Sequence, residues 1–141
     1  MNLQVLLIED DPHMRLGCQQ ALALADMTVL TTDNAEAAQT LVRAGFQGVV
    51  VSDVRLPGMD GMAFLRWAGE HCPGSPVILI TGHGDVTLAV EAMRAGAYDF
   101  IQKPFAAEHL VEVVRRALDK CALMQEGHLL RQQLKARHAS A

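Results

Sequence analysis

The chain has 141 residues, half of them hydrophobic, and its 16 acidic against 12 Lys or Arg side chains give a formal net charge of −4. That length and apolar fraction support one domain with a single sizeable core. The acidic balance excludes a general basic footprint for nucleic acid, so any DNA contact must come from elsewhere.

The opening residues MNLQVLLIEDD carry no cationic segment, and their apolar run is short before acids follow. Neither a signal peptide nor a membrane span is expected, and the chain reads as a cytoplasmic protein. A first strand is expected over residues 3–8, ending in Glu9, Asp10 and Asp11, with a helix over 13–25. A second strand over 27–32 leads to Asn34, an N-cap for a helix over 34–44. The third strand, GVVVSD over 48–53, ends in Asp53, and Asp60 with Gly61 opens a helix over 61–71. A fourth strand over 76–81 closes on Thr81, and Asp85 caps a helix over 86–95 with Gly96 as its closing residue. A fifth strand over 98–103 ends in Lys103, and the last helix runs from residue 106. Apolar runs of this length alternating with amphipathic stretches predict five βα units, an α/β fold with an open parallel sheet in a three-layer sandwich. Cys18, Cys72 and Cys121 are far apart and in no paired spacing, which gives no disulfide framework or zinc site and fits a reducing cytosol.

Open parallel sheets bind ligands beyond the carboxyl ends of their strands. There the pattern places the run Glu9, Asp10 and Asp11 together with Asp53, carboxylates that would repel one another unless a cation neutralises them. Oxygen-rich sites of this kind suit Mg²⁺. The acids alone read equally well as a solvated strand end and helix cap. Thr81 and Lys103 reach the same rim, and with the acids they supply what phosphoryl transfer to a carboxylate needs: a nucleophile, a metal and donors for phosphoryl oxygens.

With LLIEDD, SDVRLPGMDG, TGHGD and AGAYDFIQKPF in this order and spacing, roughly residues 3–118 resemble the receiver domains of bacterial two-component response regulators. The resemblance implies a CheY-like, flavodoxin-like (βα)5 sandwich with strand order 2-1-3-4-5. It implies that Asp53 takes phosphate from a sensor histidine kinase and binds Mg²⁺, or Mn²⁺ in its place, with Asp10, the main-chain carbonyl of Arg55, and Glu9 through a water. Setting Met14 and Arg15 on the family's hydrophobic-Arg pair selects Glu9 and Asp10, leaving Asp11 to start the helix. Thr81 and Lys103 would each hold a phosphoryl oxygen. Phe100, three before Lys103, takes the place of the aromatic that turns inward on phosphorylation, rather than Tyr98. Pro104 resembles the family's cis proline, and Gly58 and Gly61 its tight loop after the phosphoacceptor.

Within the family, the chain is most similar to receivers of sigma-54-dependent activators of the nitrogen-regulator type, and among those to dicarboxylate-transport regulators. That branch implies an ATPase and a DNA-binding output region outside these residues, through which alone DNA and sigma-54 polymerase would be met. Residues 1–118 would then be the receiver, and 119–141 an extension of the last helix leading to the output region. Leu118, Ala122, Leu123, Leu129, Leu130 and Leu134 give the extension an apolar stripe interrupted by Gly127. It reads as a homodimer-forming linker helix or as a solvated extension. The competing enzymatic reading is a Mg²⁺-dependent aspartyl-phosphate phosphohydrolase, but that chemistry needs an acid two residues beyond the nucleophile, where this chain has Arg55. A receiver-like module that ignores phosphate is the third reading, and the complete set of acids, Thr81 and Lys103 argues against it. The favoured reading is a signalling domain that catalyses only its own phosphoryl transfer and dephosphorylation. His13 and His83 read as ordinary loop and helix-start residues, and Trp67, Met62 and Leu65 as helix-face or core packing.

Overall fold

The computed structural model describes residues 2–82 and 84–139, so His83 lies outside the described residues. Its elements in chain order are β1 (Gln4–Ile8), α1 (Pro12–Leu24), β2 (Val29–Thr32), α2 (Ala35–Arg43), β3 (Gly48–Asp53), α3 (Gly61–His71), β4 (Val77–Thr81), α4 (Val86–Arg94), β5 (Asp99–Gln102) and α5 (Ala107–Ala139). The five strands are parallel in the order β2-β1-β3-β4-β5, the order that the sequence resemblance implied.

Both faces of the sheet are covered, which is why its strands read as unbroken apolar runs. Leu6, Ile8, Val50 and Leu79 pack with Ala38 of α2, Phe64 and Leu65 of α3 and Ala92 of α4. The alternate residues Val5, Leu7, Val51, Ile78 and Ile80 pack on the other face with Leu22 of α1 and Val113, Val114 and Ala117 of α5. Met62 and Leu65 are buried, while Trp67 is half-buried, 5.6 Å from Phe64 and stacked at 4.4 Å on His71.

Four helices begin on side chains that accept the free N–H groups of a first turn. Asp11 accepts from His13 N at 2.9 Å, Asn34 from Ala37 N at 2.7 Å, Asp60 from Ala63 N at 2.8 Å and Asp85 from Leu88 N at 3.3 Å. The largest shift from the sequence reading is at the start of β2, and the other expected boundaries lie within one residue of it. Strand β2 starts at Val29 because Met27 N still bonds Leu22 O at the end of α1, behind Asp26 in a left-handed turn. Helix α5 runs 33 residues without a break, straight through Gly127, where an added Cβ would meet only the guanidinium of Arg131 at 3.6 Å. No helix among the described residues is long and apolar enough to cross a membrane.

Candidate functional site

Register alone brings the carboxyl ends of four strands together. Ile8 stands beside Ser52, Asp53 beside Ile80, and Thr81 beside Gln102. The residues at or just past those ends, Glu9, Asp53, Thr81 and Lys103, therefore share one rim.

Asp53 is buried, with both carboxylate oxygens engaged: Oδ1 accepts from Arg55 N at 3.0 Å, and Oδ2 lies 2.6 Å from Lys103 Nζ. Glu9 is also buried. Its Oε1 accepts from Asp11 N at 3.1 Å, its carbonyl accepts from Arg15 Nη1 at 2.8 Å, and its Oε2 has no partner among the described residues. Burial, and next the Asp53 carboxylate, push the Glu9 carboxyl up to about 7 from its ordinary 4.5. Burial works against the charge on Lys103, but Asp53, Glu9 and Asp10 outweigh it and raise the ammonium's pKa above its ordinary range. Asp10 is exposed at the rim, and Glu9, Asp10 and Asp53 each bring a carboxylate oxygen within 4.8 Å of the others.

The hydroxyl of Thr81 is wholly buried and has no partner among the described residues. Buried polar atoms are almost always bonded, so two orphans on one rim mark a place where something polar is accommodated. An oxygen-only donor set with three carboxylates and one ammonium suits a hard divalent cation with an oxyanion beside it. The donor chemistry therefore fits the cation that the sequence pattern calls for.

The loop between β3 and α3 forms one wall. Gly61 N bonds Val54 O at 2.9 Å, and a Cβ at Gly61 would lie 2.4 Å from the carbonyl oxygen of Asp53, so the third helix starts directly against the backbone of that aspartate. Gly58 has φ +73, in the left-handed region open to glycine. Glu36, which the sequence reading did not single out, accepts from Met59 N at 2.7 Å across 23 positions. No local pattern marks such a bond.

The two aromatics of the fifth strand region have different neighbours. Phe100 is half-buried beside Val86, Ala89, Val90 and Met93 of α4, lining a surface cavity with them. Tyr98 packs with the α1–α5 core, and Lys120 Nζ lies 5.4 Å from its ring centroid. The Lys103–Pro104 peptide is cis. His13 is exposed at the start of α1.

Residues 5–115 match the family model described as response regulator receiver domain. The C4-dicarboxylate transport transcriptional regulatory protein DctD of Pseudomonas aeruginosa is 53% identical over 135 residues, covering 96% of this chain and 29% of that protein. DctD of Rhizobium meliloti is 48% identical over 132 residues, covering 94% and 29%. A crystal structure of NtrX from Brucella abortus in complex with ADP superposes with a TM-score of 0.85 at 32% identity, covering 96% of this chain and 30% of that one. The chain thus spans under a third of the length of these relatives.

Proposed function

The chain belongs to the response regulator receiver domain family, and from that premise we propose that Asp53 accepts a phosphoryl group from the phosphohistidine of a sensor histidine kinase in the cytoplasm. One carboxylate oxygen of Asp53 attacks phosphorus, the P–N bond to the histidine breaks, and an acyl phosphate forms. The observation that carries this reading is the convergence on Asp53 of the Lys103 ammonium, at 2.6 Å, beside Thr81 Oγ1 and Glu9 Oε2, neither of which has a partner among the described residues. Asp10, Asp53 and the carbonyl of Arg55 would hold Mg²⁺, or Mn²⁺, with Glu9 one water away. When bound, the ion spreads the charge on the phosphoryl oxygens. Lys103 then pairs with one phosphoryl oxygen and Thr81 donates to another.

The switch follows from that last bond. Thr81 moves toward the phosphoryl group, Phe100 follows, and the face of α4, β5 and α5 exchanges partners, driven by contacts that exist only with the phosphoryl group in place. The domain catalyses its own phosphorylation and dephosphorylation and no other reaction. A phosphohydrolase would need an acid where Arg55 stands.

Residues 119–141 act as a linker to an ATPase and DNA-binding output region of the sigma-54-activator type, a reading supported by the similarity to transcriptional regulators such as DctD. The linker also pairs with a second copy. Leu123, Leu130 and Leu134 are 68%, 55% and 53% exposed, and Leu123 and Leu130 point away from the side on which Cys121 is buried.

Incubation with acetyl phosphate and Mg²⁺ should add one phosphoryl group by intact-mass spectrometry, and Asp53→Asn should abolish it. Labelling that survives the substitution would refute the assignment.

A further inference from the structure

The wall formed by residues 55–59 carries the Arg55 carbonyl, yet that wall has few ties of its own. Its anchor at the start is Arg55 N, bonded to Asp53 Oδ1 at 3.0 Å. After that, among the described residues, the single hydrogen bond that residues 55–59 make with any element other than β3 is the one Met59 N donates to Glu36 Oε1, at 2.7 Å. Leu56 and Met59 pack only partly against the core.

Glu36 sits in the first turn of α2, where Asn34 caps the helix and the positive end of its dipole favours a carboxylate. The side chain is thus held at its base by a capped helix while its head reaches a different loop. The fit at the far end is close. A Cβ on Gly58 would stand 2.9 Å from Glu36 Oε1 and 3.4 Å from Oε2, so the missing side chain of Gly58 is the space that the carboxylate fills. Gly58 therefore has two reasons to be glycine, its φ of +73 and the approach of Glu36.

We infer that Glu36 is a positioning residue that latches the loop after Asp53, holding residues 55–59 so that the Arg55 carbonyl is directed at the acid rim. The inference rests on the reading of that rim as a Mg²⁺ site, and it adds a residue of the second helix that touches neither the metal nor Asp53. An acceptor oxygen is all the latch needs. Glu36→Gln keeps one, and Glu36→Ala removes it.

Two measurements on the full chain separate the latch from the metal reading. The first is amide hydrogen exchange at Met59 without metal: Glu36→Ala should speed it about tenfold while Glu36→Gln stays within about twofold of the parent, as expected when one hydrogen bond is lost or kept. The second is a Mg²⁺ titration followed by the backbone amide shifts of Arg55 and Met59. Glu36→Ala should weaken binding about three- to tenfold, and Glu36→Gln should restore it. Gly58→Ala, which crowds the same carboxylate, should reproduce the loss with Glu36 still present. Unchanged Met59 exchange in Glu36→Ala overturns the latch, as does an equal loss in the alanine and glutamine variants. A parent protein that ignores Mg²⁺ while Met59 exchange responds as described overturns the metal reading and with it the purpose assigned to the latch.

Discussion

Lys103 and Asp53 are 50 positions apart in the chain, and the ammonium nitrogen of one lies 2.6 Å from a carboxylate oxygen of the other. The contact spans β3 and the loop after β5 over the intervening β4, so it exists only once the sheet has assembled.

Its removal should act on charge in two directions. Lys103→Ala leaves the three rim carboxylates without their resident cation, so Mg²⁺ binding should tighten several-fold. Labelling of Asp53 by acetyl phosphate should meanwhile slow by about 100-fold, the usual cost of deleting one preorganised donor. Labelling at the parent rate would sink the role given to Lys103.

Glu9 sets a pH dependence whose sign follows from its raised pKa. Folding favours the protonated form, so without metal this group's contribution to stability is complete below about pH 4.5 and is lost as pH rises through about 7. A cation at the rim reverses the preference. The Mg²⁺-induced rise in melting temperature should therefore be larger at about pH 8 than at about pH 5.5, and Glu9→Gln should flatten the metal-free profile. Equal Mg²⁺ shifts at both pH values would contradict the assignment.

Thr81→Val removes a buried hydroxyl that has no partner among the described residues and keeps the shape of the side chain. Urea denaturation should show the variant about 1 kcal/mol more stable with an unchanged slope, while the amide shifts that phosphorylation produces in β5 and α4 should disappear. A loss of stability would mean that the hydroxyl is bonded in solution.

Gly61→Ala drives a methyl group to within 2.4 Å of the Asp53 carbonyl oxygen, against backbone that has nowhere to go. The expected cost is about 2–3 kcal/mol by denaturant titration, with slower labelling of Asp53 in the fraction that folds. Gly69→Ala, on the same helix with nothing within 4 Å, is the matched control and should be neutral or stabilising.

Leu130→Asp places a charge on the exposed stripe of α5 and should move the protein toward monomer in sedimentation velocity, while Gly127→Ala should lengthen the stable helix and favour the pair. If Leu130→Asp leaves the mass distribution of an associating parent unchanged, the stripe is not the contact.

Much of this architecture is written locally. The caps at Asp11, Asn34, Asp60 and Asp85 are short-range chemistry, and so are the apolar runs that end in Asp53 and Thr81; each could be read from a few neighbouring residues. The meeting of Glu9, Asp53, Thr81 and Lys103 was legible because a parallel sheet has one carboxyl edge and all four residues stand at it. The bond between Glu36 and Met59 was not, because nothing in either segment signals a contact across 23 positions. Gly127 interrupts the apolar stripe of α5 without interrupting the helix, and the reason is energetic. A glycine's cost of about 1 kcal/mol is small against a helix already anchored by Val113, Val114, Ala117 and Cys121.

That anchoring gives α5 the mechanics of a lever. Its first half is seated against the sheet, and Cys121, whose Sγ lies 3.5 Å from the carbonyl oxygen of Gly74, is the last buried point along it up to residue 136. The remaining 18 residues of the helix extend roughly 27 Å beyond that fulcrum at 1.5 Å per residue. A tilt of about 10° at the seat would sweep the free end through nearly 5 Å over such an arm. With no break in the helix to absorb the rotation, a small repacking beside β5 would reach the far end magnified rather than damped.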